Sequence, residues 1–396
     1  MRPNPYTPGA GFMPAYLAGR ETLIENAEEY LRSIKARYPQ QSVVYYGLRG
    51  VGKTVLLNQI EMSADNLGIL YTHIEAVERT RSSQDGYFTN KLVSAIDKFL
   101  SEISVTEKVK DLFQRCVSSL KAFSLSYNIE NTTIGLEVSK TDVAIKKDYA
   151  YDLTELMVQL GKYALNADHT ICFFIDEVQY LSEQELGGLI AAIHRCNQLR
   201  LPVMVFCAGL PKILKTAGTS YSYAERLFRF EPVDALNATD AAAAIQEPAK
   251  DFSITYESDA VKEIIEITGG YPYFIQEFCS VIWKRTENQN VITKEDVEEA
   301  REAFFKVLDE SFFAVRYERC THLEQSFMTA MVKCGELPCT ISNVAKIMGR
   351  EPKSISPFRS HLISKGMIYP IAHGKIDFTV PQFDSFIKRR NPQLIL

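Results

Sequence analysis

The sequence predicts an α/β fold in which a parallel sheet is sandwiched by helices, followed by a helical bundle and a C-terminal winged helix-turn-helix. Three observations carry this expectation. A buried strand runs through a glycine-rich loop into a helix at residues 42–60. A second apolar strand ends in Asp176-Glu177. From Asn237 to Phe313 the pattern is helical throughout, and a helix-helix-helix-hairpin pattern closes the chain.

The glycine loop is Gly47-Leu48-Arg49-Gly50-Val51-Gly52-Lys53-Thr54, which fits G-x-x-x-x-G-K-[ST] without a gap. Ser42–Tyr46 precedes it as a strand and Val55–Ile60 follows as a helix, the context a P-loop needs. Backbone N–H groups of such a loop and the positive helix end point at a phosphate. Lys53 is expected to reach the β- and γ-phosphates of ATP, and the Thr54 hydroxyl to hold Mg²⁺. Asp176, at a strand's C-terminal end, suits the Mg²⁺ shell, and Glu177 suits the activation of water. Together these residues point to ATP hydrolysis, with Lys53, Asp176 and Glu177 as the catalytic set.

With 396 residues, 46% of them hydrophobic, the chain has room for two or three domains with full cores. We expect a P-loop core over 1–235, a helical lid over 236–315 and the winged helix over 316–396. Residues 1–18, rich in Pro and Gly, read as an extended arm. Alternation in Phe123–Ile129 and again in Ile134–Val138, with a turn between, suggests a β-hairpin insertion near 123–138. It suits either a contact with a partner or DNA, or a decoration of the sheet edge. The eight cysteines sit largely in apolar patterns, as in Ile171-Cys172-Phe173, and read as reduced and packed. No apolar h-region and no membrane-spanning run is present, so a soluble, cytoplasmic protein is expected.

The net charge of −5 is unevenly spread. From Arg316 onward 12 Lys+Arg face 6 Asp+Glu, a net of +6, which leaves −11 for the rest. Only the tail is therefore suited to a polyanion. In its third helix Lys353, Ser354, Ser356 and Arg359 are expected to face outward, with Lys375 on the wing, as groove-contacting residues for double-stranded DNA. The same module serves equally as a protein-binding surface. Arg226, before the last strand of the sheet, is expected to join the catalytic set as a γ-phosphate-sensing or finger arginine, in its own subunit or a neighbour's, or else to be an ordinary surface arginine.

Gly19-Arg20-Glu21, Gly47–Thr54, Asp176-Glu177, Ala208-Gly209-Leu210-Pro211, Ala224–Phe228, Gly269-Gly270-Tyr271-Pro272 and the winged tail together resemble prokaryotic P-loop ATPases of the AAA+/STAND type (ASCE class), near the origin-recognition branch. The resemblance implies strand order 5-1-4-3-2, an adenine-pocket wall at Arg20, and a lid proline, Pro272, packed near the base. It also implies nucleotide contacts from Gly47 through Val55 and the capacity to form homo-oligomers. Where the family usually carries a polar sensor after the fourth strand, this chain has Ala208-Gly209, and no lid arginine matches the second sensor. Both departures favour a slow switch over a fast motor. The P-loop, Asp176-Glu177 and the basic tail suggest a nucleotide switch acting on DNA, whereas the acidic body and the hairpin suggest a signalling or defence ATPase whose winged helix and hairpin bind a protein.

Overall fold

The computed structural model describes residues 2–78, 86–129, 148–214, 216, 224–372 and 374–394. Five parallel strands, β1 (Ser42–Tyr46), β2 (Leu70–Glu75), β3 (Ile171–Asp176), β4 (Val203–Gly209) and β5 (Phe228–Pro232), lie in the order β2-β3-β4-β1-β5. This is the order the resemblance implied.

The central strands are buried on both faces, and their residues alternate between two cores. Val43, Tyr45, Cys172, Phe174, Met204 and Phe206 point to one side, against α1 (Glu21–Lys35) and α2 (Lys53–Asn66). Val44, Phe173, Ile175, Val203 and Val205 point to the other, against α3 (Tyr87–Glu102), α4 (Lys110–Ser126), α5 (Tyr149–Asn166) and α6 (Glu183–Gln198). A strand's period of two makes one apolar run serve both layers, which is why these strands read as continuous apolar runs.

The hairpin expectation is corrected in its first half. Phe123–Ser126 are the last turn of α4, and residues 130–138 lie outside the described residues. Cys116, Leu120 and Phe123 are buried at helical spacing, and Phe123 stacks tilted on Tyr127 with ring centroids 4.8 Å apart. The serines between them imitate strand alternation only when the window starts at Phe123.

Beyond β5 come α7 (Ala238–Lys250), α8 (Ser258–Thr268), α9 (Pro272–Arg285) and α10 (Lys294–Val307). A single π-helical turn, Leu308–Phe313, then leads into α11 (Ala314–Glu318). The remaining elements are α12 (His322–Lys333), α13 (Ile341–Ile347), α14 (Pro352–Ser364) and α15 (Phe383–Arg390). With them goes a small sheet in which β8 (Cys339–Thr340) pairs with β10 (Lys375–Phe378), and β10 with β9 (Ile368–Ala372). The two-residue pair β6 (Thr255–Tyr256) and β7 (Val291–Ile292) ties α8 to α10.

One hydrophobic core runs unbroken from Leu236 to Ile387, so the bundle and the last 80-odd residues share packing. Phe313 stacks on Phe386 at 5.3 Å, across what the sequence suggested as a boundary. The N-terminal segment is tied to the bundle as well. Tyr6, buried, donates to the Ile245 carbonyl at 2.5 Å, and Arg2 lies 3.9 Å over the Trp283 ring. Among the described residues no helix is long and apolar enough to cross a membrane, and every described cysteine is free, all but Cys334 buried.

Candidate nucleotide site

β1, β3 and β4 all end at the same edge of the sheet, and the P-loop leaves that edge. Tyr46 pairs with Gly209 and Ile175 with Cys207, so the loop and the Asp176-Glu177 pair stand at the carboxyl ends of β1 and β3, on either side of β4. Gly47 N donates to the Gly209 carbonyl at 3.2 Å and anchors the loop's start. Gly50 and Gly52 adopt φ values of 85° and 88°, a region L side chains rarely enter, and so turn the loop's amides inward.

Lys53 is buried, its Nζ donating to the carbonyls of Gly47 at 3.1 Å and Leu48 at 2.8 Å. Burial lowers its pKa from 10.5 to about 8, against the opposing pull of Glu177 and Asp176. The Thr54 hydroxyl donates to Asp176 Oδ2 at 2.6 Å. Burial raises the Asp176 carboxyl above its ordinary range, and the Thr54 bond opposes that rise. A hydroxyl and a carboxylate of this kind, side by side beside a lysine, are the oxygen donors Mg²⁺ takes beside phosphates. The donor set fits Mg-nucleotide.

Glu177 sits in a left-handed backbone conformation, φ 52° and ψ 36°. Its N–H donates to Asp176 Oδ1 at 2.7 Å, its carboxylate accepts from the Gln179 amide, and Arg49 Nη1 lies 3.8 Å away. Arg49 also donates to the Tyr180 hydroxyl at 2.7 Å. Its backbone N–H donates to the carbonyl of Thr379, at the end of the C-terminal sheet, at 3.2 Å.

Pro272 opens α9 and lines the cleft, and Tyr273 N donates to the Gly50 carbonyl at 3.2 Å. Arg20, buried, donates to the carbonyls of Val51 at 3.0 Å and Asp234 at 2.6 Å. Its guanidinium therefore braces the loop against the segment leading to the bundle. The cleft has a volume of about 330 Å³ and also holds Thr54, Val55 and Glu177.

Two contributors were not read from the sequence. The arm residues Thr7–Phe12 form one wall, held by Thr7 N to Gln276 at 3.0 Å and by Asn58 to the Gly11 carbonyl at 3.3 Å. Arg316 enters from α11, stacked 4.0 Å over Phe312, which in turn stacks on Tyr273 at 4.8 Å. Burial and the neighbouring Arg49 charge lower its pKa to about 10, against the opposing pull of Tyr273 and Glu177. The π-helical turn shifts the phase of the residues that follow it relative to α10, and no sequence periodicity announces such a turn.

Arg226 is not part of this cleft. It directly precedes β5, whose Phe228 pairs with Ser42, and its carbonyl accepts from Gln41. That is the opposite end of β1 from the P-loop, about 15 Å away at ~3.3 Å per residue. It cannot reach a phosphate of its own chain.

Of the residues expected to face DNA, Lys353, Ser354 and Lys375 are exposed and Ser356 is half-buried. Arg359 departs from the expectation. It lies one turn from buried Ile355, and its Nε is buried with no hydrogen-bond partner among the described residues.

Residues 16–206 match the family model of the AAA ATPase domain. This part of the chain is similar to AAA ATPase domains. Residues 310–387 match the model of a domain of unknown function, DUF8462. A Walker-type ATPase of Pyrococcus abyssi superposes with a TM-score of 0.56 at 13% identity, over 98% of this chain and 99% of its own. The Orc1 protein of Aeropyrum pernix, solved in complex with DNA, shares 15% identity over 96% of this chain and 94% of its own, with a TM-score of 0.48. Cdc6p of Pyrobaculum aerophilum shares 14% over 96% and 97%, with a TM-score of 0.47. No curated protein matches the sequence. The five-stranded sheet with its flanking helices is the P-loop NTPase fold in its AAA+ form.

Proposed function

We propose that the protein is an ATP-binding and ATP-hydrolysing switch that couples its nucleotide state to DNA binding through a C-terminal winged helix. The observation that carries this reading is a convergence on one cleft. The P-loop, Asp176-Glu177 and Arg316 meet there, while Thr379 of the C-terminal segment bonds directly to the loop. In this reading residues 1–235 are the ATPase core, 236–315 the lid and 316–396 the winged helix.

Gly47 through Val55 cradle the phosphates, and Lys53 holds the β- and γ-phosphates once drawn off the Gly47 and Leu48 carbonyls. Thr54 and Asp176 hold Mg²⁺, which neutralises charge on the phosphates when bound. Glu177 orients and deprotonates the attacking water. Arg316 contacts the phosphates from the lid side, the role for which the sequence offered no candidate. Pro272 and the arm enclose the base, and Arg20 positions the loop rather than touching the nucleotide. Arg226 has a catalytic role only in a homo-oligomer, acting on a neighbour's site. Hydrolysis is slow, since β4 ends in Ala208-Gly209 and offers no polar side chain to the γ-phosphate.

Lys353, Ser354, Ser356 and Lys375 form the DNA face, with Arg359 at its flank. A mobility-shift titration with duplex DNA in low salt, with and without ATP, tests the reading. Binding is expected, and to fall steeply with salt as phosphate counterions are released. No binding in either state would refute it. Phosphate release completes the test: Lys53→Ala is expected to lose nucleotide binding, whereas Glu177→Gln keeps binding and traps ATP. Equal turnover in all three proteins counts against the assigned site.

A second reading, a signalling ATPase with a protein partner, is favoured by one observation. A groove of about 480 Å³ between α12 and α13 exposes Leu323 and Ile347, while Lys365, Lys388, Arg389 and Arg390 are spent on ion pairs within the chain. A protein complex that survives nuclease treatment, with no DNA shift, supports this alternative.

A further inference from the structure

We infer that Gln179 is the positioning residue for Glu177, supplied from the turn after β3 in place of a polar side chain from β4. The inference rests on the ATPase reading above. β4 ends in Ala208-Gly209, with no polar side chain to offer the site. The 3₁₀ turn Val178–Tyr180 instead carries Gln179 beneath the end of β4.

Leu210 N–H donates to Gln179 Oε1 at 2.9 Å. Only the carbonyl end of a carboxamide can accept that bond, so the backbone of β4 fixes which way the amide faces. Gln179 Nε2 is thereby turned toward Glu177 Oε2, and the two are hydrogen-bonded. The side chain is buried, so water competes little for either bond.

Gly209 completes the arrangement. A Cβ there would stand 2.8 Å from Gln179 Oε1 and 2.8 Å from Val178 Cγ1. Any side chain at 209 would expel the carboxamide. The non-polar end of β4 and the glutamine are thus one solution: the glycine leaves the space the glutamine fills.

Glu177 needs such help. A left-handed backbone is uncommon for a residue with a Cβ and persists only where neighbours hold it. Without Gln179 the nearest remaining partner for the carboxylate is Arg49, which would draw it aside from the water it must activate.

Turnover and fluorescent-ATP affinity, measured separately, test this. Gln179→Leu and Gly209→Ala are each expected to lower kcat about 100-fold while nucleotide affinity stays within about twofold. The second variant keeps the glutamine but displaces it, so it reports on position rather than on side-chain loss. Gln179→Leu in a Glu177→Gln background is expected to cost nothing further, because residues acting as a unit are not additive. A kcat for Gln179→Leu within twofold of wild type would overturn the inference, as would a loss of affinity matching the loss of turnover. Wild-type protein that binds ATP but releases no phosphate overturns the ATPase reading and the inference together. Normal wild-type turnover with an unaffected variant overturns the inference alone.

Discussion

Lys53 shows how one buried side chain reports on the chemistry of its site. Burial brings its pKa to about 8, within the range of ordinary buffers. A triphosphate favours the charged ammonium, so binding must draw a proton onto Lys53 once the pH exceeds that value. Nucleotide affinity is therefore expected to be flat below about pH 7 and to fall by up to about tenfold per pH unit above pH 8. Fluorescence titration across pH 7 to 9.5 at fixed ionic strength checks this. A flat profile to pH 9.5 would mean that the ammonium stays charged without the nucleotide. That Lys53, Thr54, Asp176 and Glu177 lie together was legible in the sequence, because a P-loop sets Lys53 and Thr54 at fixed spacing along one strand-loop-helix and Asp176-Glu177 closes an apolar strand of the same parallel sheet. Arg316 and Gln179 were not legible. Arg316 follows a π-helical turn that breaks the helical phase, and Gln179 fits because Gly209 leaves room across a strand pair. Arg226 precedes β5 and so stands at the amino end of the parallel sheet, opposite the cleft, which rules out γ-phosphate sensing within its own chain.

Local patterning located most helices and strands, and it failed where an element was too short or its period ambiguous. β8, two residues long, has no signal of its own and exists because β10 pairs with it. α4 was hidden by serines that mimic alternation. α14 illustrates the limit of counting positions outward from a core. Arg359 is four residues from Ile355 and three from Leu362, so it flanks the buried stripe rather than facing solvent. Beneath that helix, Glu324 is almost fully buried and makes three attachments. It caps α12 through Thr321, accepts from Lys365 at 2.6 Å and lies 3.6 Å from His361. Burial works to raise its pKa, but the Lys365 and Thr321 bonds prevail and hold it below the ordinary carboxylate value. A depressed pKa in the fold means stability that is complete above the unfolded-state value, about 4.5, and lost as pH falls toward the folded-state value. Glu324→Gln is expected to destabilise the protein by about 2 kcal/mol at pH 7, through loss of charged hydrogen bonds. The difference from wild type should shrink as pH falls below about 4.5. Urea denaturation of both proteins at pH 7 and pH 4 measures this, and equal midpoints at pH 7 would deny Glu324 the role.

At the scale of the whole molecule, what matters is that the C-terminal segment is in contact with the P-loop. Arg49 is the shared residue. Its N–H bonds the Thr379 carbonyl, its guanidinium bonds Tyr180, and its charge lies near Glu177. Elsewhere the contact is held by Gln382 donating to the Ile267 carbonyl at 2.7 Å and by the bidentate Arg389–Asp309 pair. Arg316 stands at the junction of bundle and tail, with its cation in the same cleft. A nucleotide can shift the tail only by interacting differently with its docked and released states. Phosphates that attract Arg49 and Arg316 provide that difference, because both residues are tied to the docked arrangement. Hydrogen exchange of residues 366–380 is therefore expected to quicken when a non-hydrolysable ATP analogue saturates the site. A tenfold change in the local opening constant corresponds to about 1.4 kcal/mol of coupling. Arg316→Ala should weaken analogue binding and remove most of that change even at saturation, whereas Lys353→Ala should leave it intact. If exchange in 366–380 is the same with and without the analogue, the tail does not sense the nucleotide through this contact. The Arg49–Thr379 bond is then packing alone, and any coupling to DNA must take another route.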